Sequence, residues 1–167
     1  MNNTVNMSFK NILVPFDFET LSNLALDNAI KIAKFVKDSK ITILHVVEEL
    51  VIPPTVEAFG RQLYSFKTGE VVTGSVYVKE LYHEMRSSAL KKLEKKKQKC
   101  EKAGISCQII VILGIPKEQI VKYVREQKID LVVMGTVKRK GISKIMTLGS
   151  VARSVSENAS CPVMLVH

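Results

Sequence analysis

Residues 129–155 read IDLVVMG, TVKRKGISKIMTL and GSVARSV in succession, and few folds accommodate that order. Leu131, Val132, Val133 and Met134 form an unbroken apolar run closed by Gly135. A run with apolar residues at both parities is a strand buried on both faces, as in a parallel sheet. From Gly149 a helix is expected, with Val151, Ala152 and Val155 as its apolar stripe and Ser150 able to accept a backbone bond at its start. A strand, a glycine-bearing loop and a helix opening on Gly-Ser suit an anion such as phosphate. The first N–H groups of a helix lack intrahelical partners, and the macrodipole places partial positive charge there.

The rest of the chain alternates in the same way. Residues 11–16 (NILVPF) predict a central strand that ends at Asp17, with Pro15 at the edge where a lost ladder N–H matters least. Leu21, Ala25, Ala29, Ile32, Ala33 and Val36 then mark one face of a helix closed by Lys37, Asp38 and Ser39. Residues 41–47 (ITILHVV) predict a second buried strand. A helix striped by Leu81, Met85, Ala89, Leu93 and Cys100 stops at Gly104, and residues 105–113 predict a third strand. Pro116 opens a helix whose buried side is Ile120, Val121 and Val124. The fourth strand is that of residues 129–135, and residues 163–166 follow Pro162 as a fifth. Such alternation indicates a single α/β domain over 1–167, a parallel sheet with helices on both faces. Residues 48–78 have no clear period. Pro53, Pro54, Gly60, Gly69 and Gly74 interrupt them, leaving open a surface excursion, a lid or a contact surface.

At 167 residues and 46% hydrophobic, the chain can build one core without a second domain. No run is long enough for a membrane span and residues 1–10 lack the apolar centre of a signal peptide, so a cytoplasmic protein without a membrane partner is expected. Cys100, Cys107 and Cys161, odd in number and without CxxC spacing, read as buried thiols rather than disulfides or metal ligands. The net charge of +9 would suit nucleic acid, but its placement argues against that partner. Eight basic residues against two acidic ones lie between Arg86 and Lys102, mostly opposite the apolar stripe of one helix and without aromatic stacking residues, as on a solvated face.

Gly135, Gly141 and Gly149-Ser150 resemble the glycine loop of the universal stress protein family, whose ATP-binding members carry Gly-x2-Gly-x9-Gly-Ser/Thr. Lys138 stands where the second glycine is expected, and the spacing from Gly135 to Gly149 is one residue longer. NILVPFDFET, ITILHVV, IDLVVMG, GSVARSV and CPVMLV match family segments in the same order, so the resemblance covers nearly the whole chain. It implies a flavodoxin/Rossmann-like three-layer fold with a five-stranded parallel sheet in the order 3-2-1-4-5. Ligands then bind where the winding reverses, between the first and fourth strands.

Carried over residue by residue, the family's nucleotide contacts fall on Pro15, Phe16, Asp17, Val46, Met134, Gly135, Gly149, Ser150 and Val151, with Lys138 and Gly141 in the loop. The Val46 backbone can pair with the adenine edge, and Ser150 with its neighbouring amides can hold phosphate. Asp17 can hold base, ribose or a metal, or act only as a cap; no protein metal site is expected. Phe16, in place of a small hydroxyl residue, offers a stacking surface. Lys138, Arg139, Lys140 and Lys144 either neutralise phosphates or form an exposed basic loop. His45, His83 and His167 lack metal-ligand spacing, and His45 reads as a packed or hydrogen-bonded strand residue. P-loop, GxGxxG and GxSxG motifs are absent. The expected function is binding of ATP, AMP or ADP, with or without magnesium, as a regulatory ligand. A dimeric interaction protein without nucleotide and a slow ATPase stand as alternatives. Residues 163–166, as an edge strand, imply a homodimer, beside a protein partner the sequence does not name.

Overall fold

The computed structural model describes residues 9–49, 62–136 and 149–167. Five parallel strands form the central sheet: β1 (Asn11–Pro15), β2 (Lys40–Val47), β5 (Ser106–Leu113), β6 (Leu131–Gly135) and β7 (Val163–Val166). Their order is β5-β2-β1-β6-β7, which is 3-2-1-4-5 when the sheet's own strands are numbered along the chain. β1 lies at the centre, with Leu13 opposite Thr42 on one side and Val132 on the other.

Both parities of these strands are apolar because both faces are covered. Ile12, Val14, Ile41, Ile43 and Val133 pack beneath α1 (Thr20–Ala33) and α2 (Gly74–Lys102). Leu13, Leu44, Val132 and Met134 pack beneath α3 (Pro116–Glu126) and α4 (Ser150–Asn158). The Asp130 carboxylate accepts bonds from the Lys10 and Asn11 N–H groups at 2.9 and 2.8 Å, fastening the entry of β1 to that of β6.

The α1 stripe is rotated from its expected position. Its buried residues are Ser22, Ala25, Leu26, Ala29, Ile30 and Ala33, while Leu21 and Ile32 are half-buried and Val36 lies past the helix end. Three alanines lying flat on the sheet let the helix approach closely. Asp38, at φ 59°, turns the chain, and the Ser39 hydroxyl donates to the Ala33 carbonyl at 2.8 Å. The α2 stripe follows expectation from Met85 onward, with Ala89, Leu93 and Cys100 buried and Met85 packed against them, while Leu81 is half-buried and its neighbour Tyr82 packs on the core instead. Gly104, at φ 78°, closes α2 as a Schellman turn. Its N–H donates to the Glu101 carbonyl at 2.9 Å and that of Ile105 to Cys100 at 3.0 Å.

The segment 48–78 is more ordered than its sequence suggested, apart from residues 50–61, which lie outside the described ones. β3 (Leu63–Tyr64) and β4 (Val71–Val72) form an antiparallel hairpin, and α2 already begins at Gly74. Two-residue strands are too short to show a period. The hairpin is held by Glu80, whose carboxylate accepts from the Ser65 hydroxyl at 2.9 Å and the Phe66 N–H at 2.8 Å.

Of the three cysteines, which are free, only Cys100 is fully buried; Cys107 and Cys161 are half-buried. The facing thiols of Cys100 and Cys107 perturb each other, lowering the pKa of Cys100 and raising that of Cys107. No helix among the described residues is long and apolar enough to cross a membrane.

Candidate functional site

β1 feeds α1 on one face of the sheet and β6 leads toward α4 on the other, so the chain diverges at their carboxyl ends and leaves a cleft. The cleft has a volume of about 530 Å³. Pro15, Phe16, Asp17, Val46, Met134, Gly135, Gly149, Ser150 and Val151 all line it. These are the nine expected site residues that fall within the described part of the chain. Lys138 and Gly141, with Arg139, Lys140 and Lys144, lie outside the described residues.

One wall is the end of β2. The Phe16 N–H donates to the Leu44 carbonyl at 2.8 Å, and on the other side of β2 the Gly114 N–H donates to the Val47 carbonyl at 3.0 Å. Backbone groups alternate sides along a strand. Val46 therefore directs its N–H and C=O toward β1, past the point where β1 has left the sheet.

The turn after β1 is held from several directions. The His45 ring places Nδ1 2.7 Å from the Phe16 carbonyl; since the carbonyl can only accept, Nδ1 carries the proton and donates. Asp17 is exposed and its Oδ1 accepts from the Glu19 N–H at 3.0 Å, just before α1. Phe18 sits at φ 69°, unusual for a bulky residue. It meets Phe16 and His45 edge-on, with ring centroids 5.6 and 4.7 Å apart. The expected stacking role of Phe16 does not fit this arrangement. The residue is only 3% exposed, because its parity directs the ring into the core beneath α1 and α2.

Gly135 has a packing duty that the loop pattern did not reveal. A Cβ there would stand 2.6 Å from Leu21 Cβ and 2.9 Å from the Leu21 carbonyl carbon, so its smallness admits α1 to the sheet. Gly149 is the N-cap of α4, with φ −56° and ψ 150°, and there is no side-chain cap bond. Ser150 is thus the first helical residue rather than the cap, and its exposed side chain faces the cleft. By helix geometry the first N–H groups, Ser150 and Val151 among them, have no intrahelical acceptor. They give the cleft an electropositive end.

Residues not anticipated also line the cleft, among them His45, Glu48, Met85, Pro116 and Ile120. Pro116 and Ile120 were legible in principle: a helix that follows a parallel strand starts at the carboxyl edge of the sheet, where the cleft lies. His45 is the hydrogen-bonded strand residue its surroundings in the sequence suggested. The carboxylates of the cleft among the described residues are Asp17 and Glu48. No group of three or more metal-ligating side chains occurs among the described residues.

The universal stress protein family model matches residues 8–167. The chain belongs to the universal stress protein family. Universal stress protein YxiE of Bacillus subtilis is 32% identical over 159 residues, covering 95% of this chain and 99% of that one. Universal stress protein MJ0577 of Methanocaldococcus jannaschii is 30% identical over 165 residues, 97% of each chain. The solved structure of MJ0577 superposes with a TM-score of 0.71 over 95% of each chain, at 26% identity. A family protein of Arabidopsis thaliana, solved with AMP bound, superposes with a TM-score of 0.58 at 20% identity, over 93% of this chain and 89% of that one. At that identity the likeness shows the shared fold.

Proposed function

We propose that this universal stress protein binds an adenine nucleotide, ATP or AMP, in the cleft between β1 and β6 as a regulatory ligand in a stress response. The observation that carries this reading is the chemistry at the two ends of the cleft. At one end the Val46 N–H and C=O, released by the departure of β1, match the acceptor and donor on the adenine edge. At the other, the amides that open α4 and the Ser150 hydroxyl match phosphate. Asp17 lies along the same cleft, where its carboxylate accepts from a ribose hydroxyl or base amine, or ligates a magnesium ion carried by the phosphates. The AMP held by the Arabidopsis relative supports the choice of nucleotide. Lys138 and the other loop cations would add charge toward a longer phosphate chain.

Calorimetric titration with AMP and ATP, with and without magnesium, tests the reading. Saturable binding is expected, with ATP tighter than AMP and its affinity falling as salt is raised. Absence of binding at millimolar nucleotide leaves an interaction protein without nucleotide. Sustained ATP turnover with magnesium would make the protein a slow ATPase instead.

The proposed assembly is a homodimer through β7. Among the described residues β7 pairs with β6 alone and forms the sheet edge, and Met164 on it is 41% exposed. The Val132 N–H donates to the Pro162 carbonyl and the Thr136 N–H to that of Val166. Alternation therefore turns the N–H groups of Val163 and Leu165 outward, where a second copy of β7 can pair with them.

A further inference from the structure

Behind the turn that forms one wall of the cleft lies a second concavity of about 430 Å³, between that turn and α2. Phe16 and Phe18 contribute to it, and Lys91, Lys92, Lys95 and Lys96 line its α2 side. We infer that this groove is a separate binding site for a compact anion carrying several phosphate groups.

The lysines are not simply spread over a solvated face. Lys92 Nζ lies 5.5 Å from the centroid of the Phe18 ring and Lys96 Nζ 5.9 Å from that of Phe16. Attraction to the ring faces holds both ammonium groups over the groove. Nearby lysines of the same helix have carboxylate partners: Lys97 pairs with Glu101 at 3.6 Å, and Lys99 pairs with Asp27 across to α1. The four groove lysines form no ion pair among the described residues, and the groove lining contains no carboxylate. Four cations are thereby gathered without neutralisation.

Their spacing sets the size of the ligand. Positions i, i+1, i+4 and i+5 span one helical turn, so the two pairs stand roughly 6 Å apart along the axis, a reach suited to two or three linked phosphates. The volume is in the range of small-molecule sites. Lysine ammonium groups bind phosphate as point charges and do not require the planar geometry of arginine. Phe16 lines both the groove and the cleft, but the four lysines line the groove only, so the anion site rests on groups that the nucleotide reading does not use.

The experiment is an amide NMR titration with inorganic tripolyphosphate, and with orthophosphate for comparison, at constant ionic strength. Saturable shifts are expected at Phe18, Asn23 and residues 91–96, with tripolyphosphate bound at least tenfold more tightly than orthophosphate. Lys92→Ala with Lys96→Ala should weaken tripolyphosphate at least tenfold. Lys117→Ala with Lys122→Ala, on α3 across the sheet, should leave it unchanged. Shifts confined to residues 149–151, equal losses in the two lysine double variants, or no saturation at millimolar tripolyphosphate would overturn the inference.

Discussion

Single glycines and hydroxyls in this chain carry different burdens, and substitutions separate them. The Ser150 hydroxyl makes no cap bond in the protein alone, so Ser150→Ala should leave the melting temperature unchanged. If the hydroxyl meets phosphate, it should weaken nucleotide by about 1–2 kcal/mol, or five- to thirtyfold by calorimetry. Gly149 occupies an extended conformation open to any residue, so Gly149→Val should fold yet abolish binding by blocking the approach of phosphate to the helix amides. Asp17→Asn should weaken nucleotide if the carboxylate meets ribose, base or metal, and lower only stability if its bond to the Glu19 N–H is its whole role. Gly135→Ala belongs to a different class. The added methyl would meet Leu21 Cβ and backbone rather than a side-chain tip, and overpacking of that kind costs about 1–3 kcal/mol. Thermal or denaturant unfolding should show that loss directly. The loop pattern placed Gly135 among the expected site residues, and it does line the cleft, but the pattern could not disclose Leu21 on the other side.

The elements were legible to different degrees, for reasons of length and periodicity. β6 is an unbroken apolar run closed by Gly135, β2 is mostly apolar and rich in β-branched residues, and α2 repeats its stripe over many turns, so local pattern sufficed. The β3–β4 hairpin has two residues per strand, and its organising contact is Glu80, a helix residue whose sequence neighbourhood gives no sign of a partner. Glu80→Ala should remove both the Ser65 and Phe66 bonds. The Phe66 amide should then exchange with solvent about ten- to a hundredfold faster, the local equivalent of about 1–3 kcal/mol. Global unfolding should change little, since the hairpin lies apart from the sheet core. An unchanged Phe66 exchange rate would show that hairpin pairing alone holds the segment.

At the scale of the whole molecule, the proposed homodimer rests on the edge of β7, which is open among the described residues. Val163→Pro removes an outward N–H while leaving the bonds from Pro162 and Val166 to β6 in place, so the fold should survive. Light scattering at micromolar concentration should report a dimer for the unaltered chain and a monomer for this variant. A monomer in both cases would dispose of β7 pairing.

Sequence by itself determined the α/β class, the number of strands in the main sheet, most helix faces and the family, because these follow from apolar periodicity and turn chemistry acting over a few neighbouring residues. It also named nine cleft residues, through a pattern spread along the chain. Only the tertiary structure decided what those residues face. The burial of the Phe16 ring, the turn of the Val46 backbone toward the cleft, the seat of Leu21 over Gly135 and the placing of Lys92 and Lys96 over two aromatic rings depend on strand register and helix rotation. These are set by contacts between distant segments, such as the bond from Lys10 to Asp130 across 120 positions, and local periodicity carries no information about such pairs.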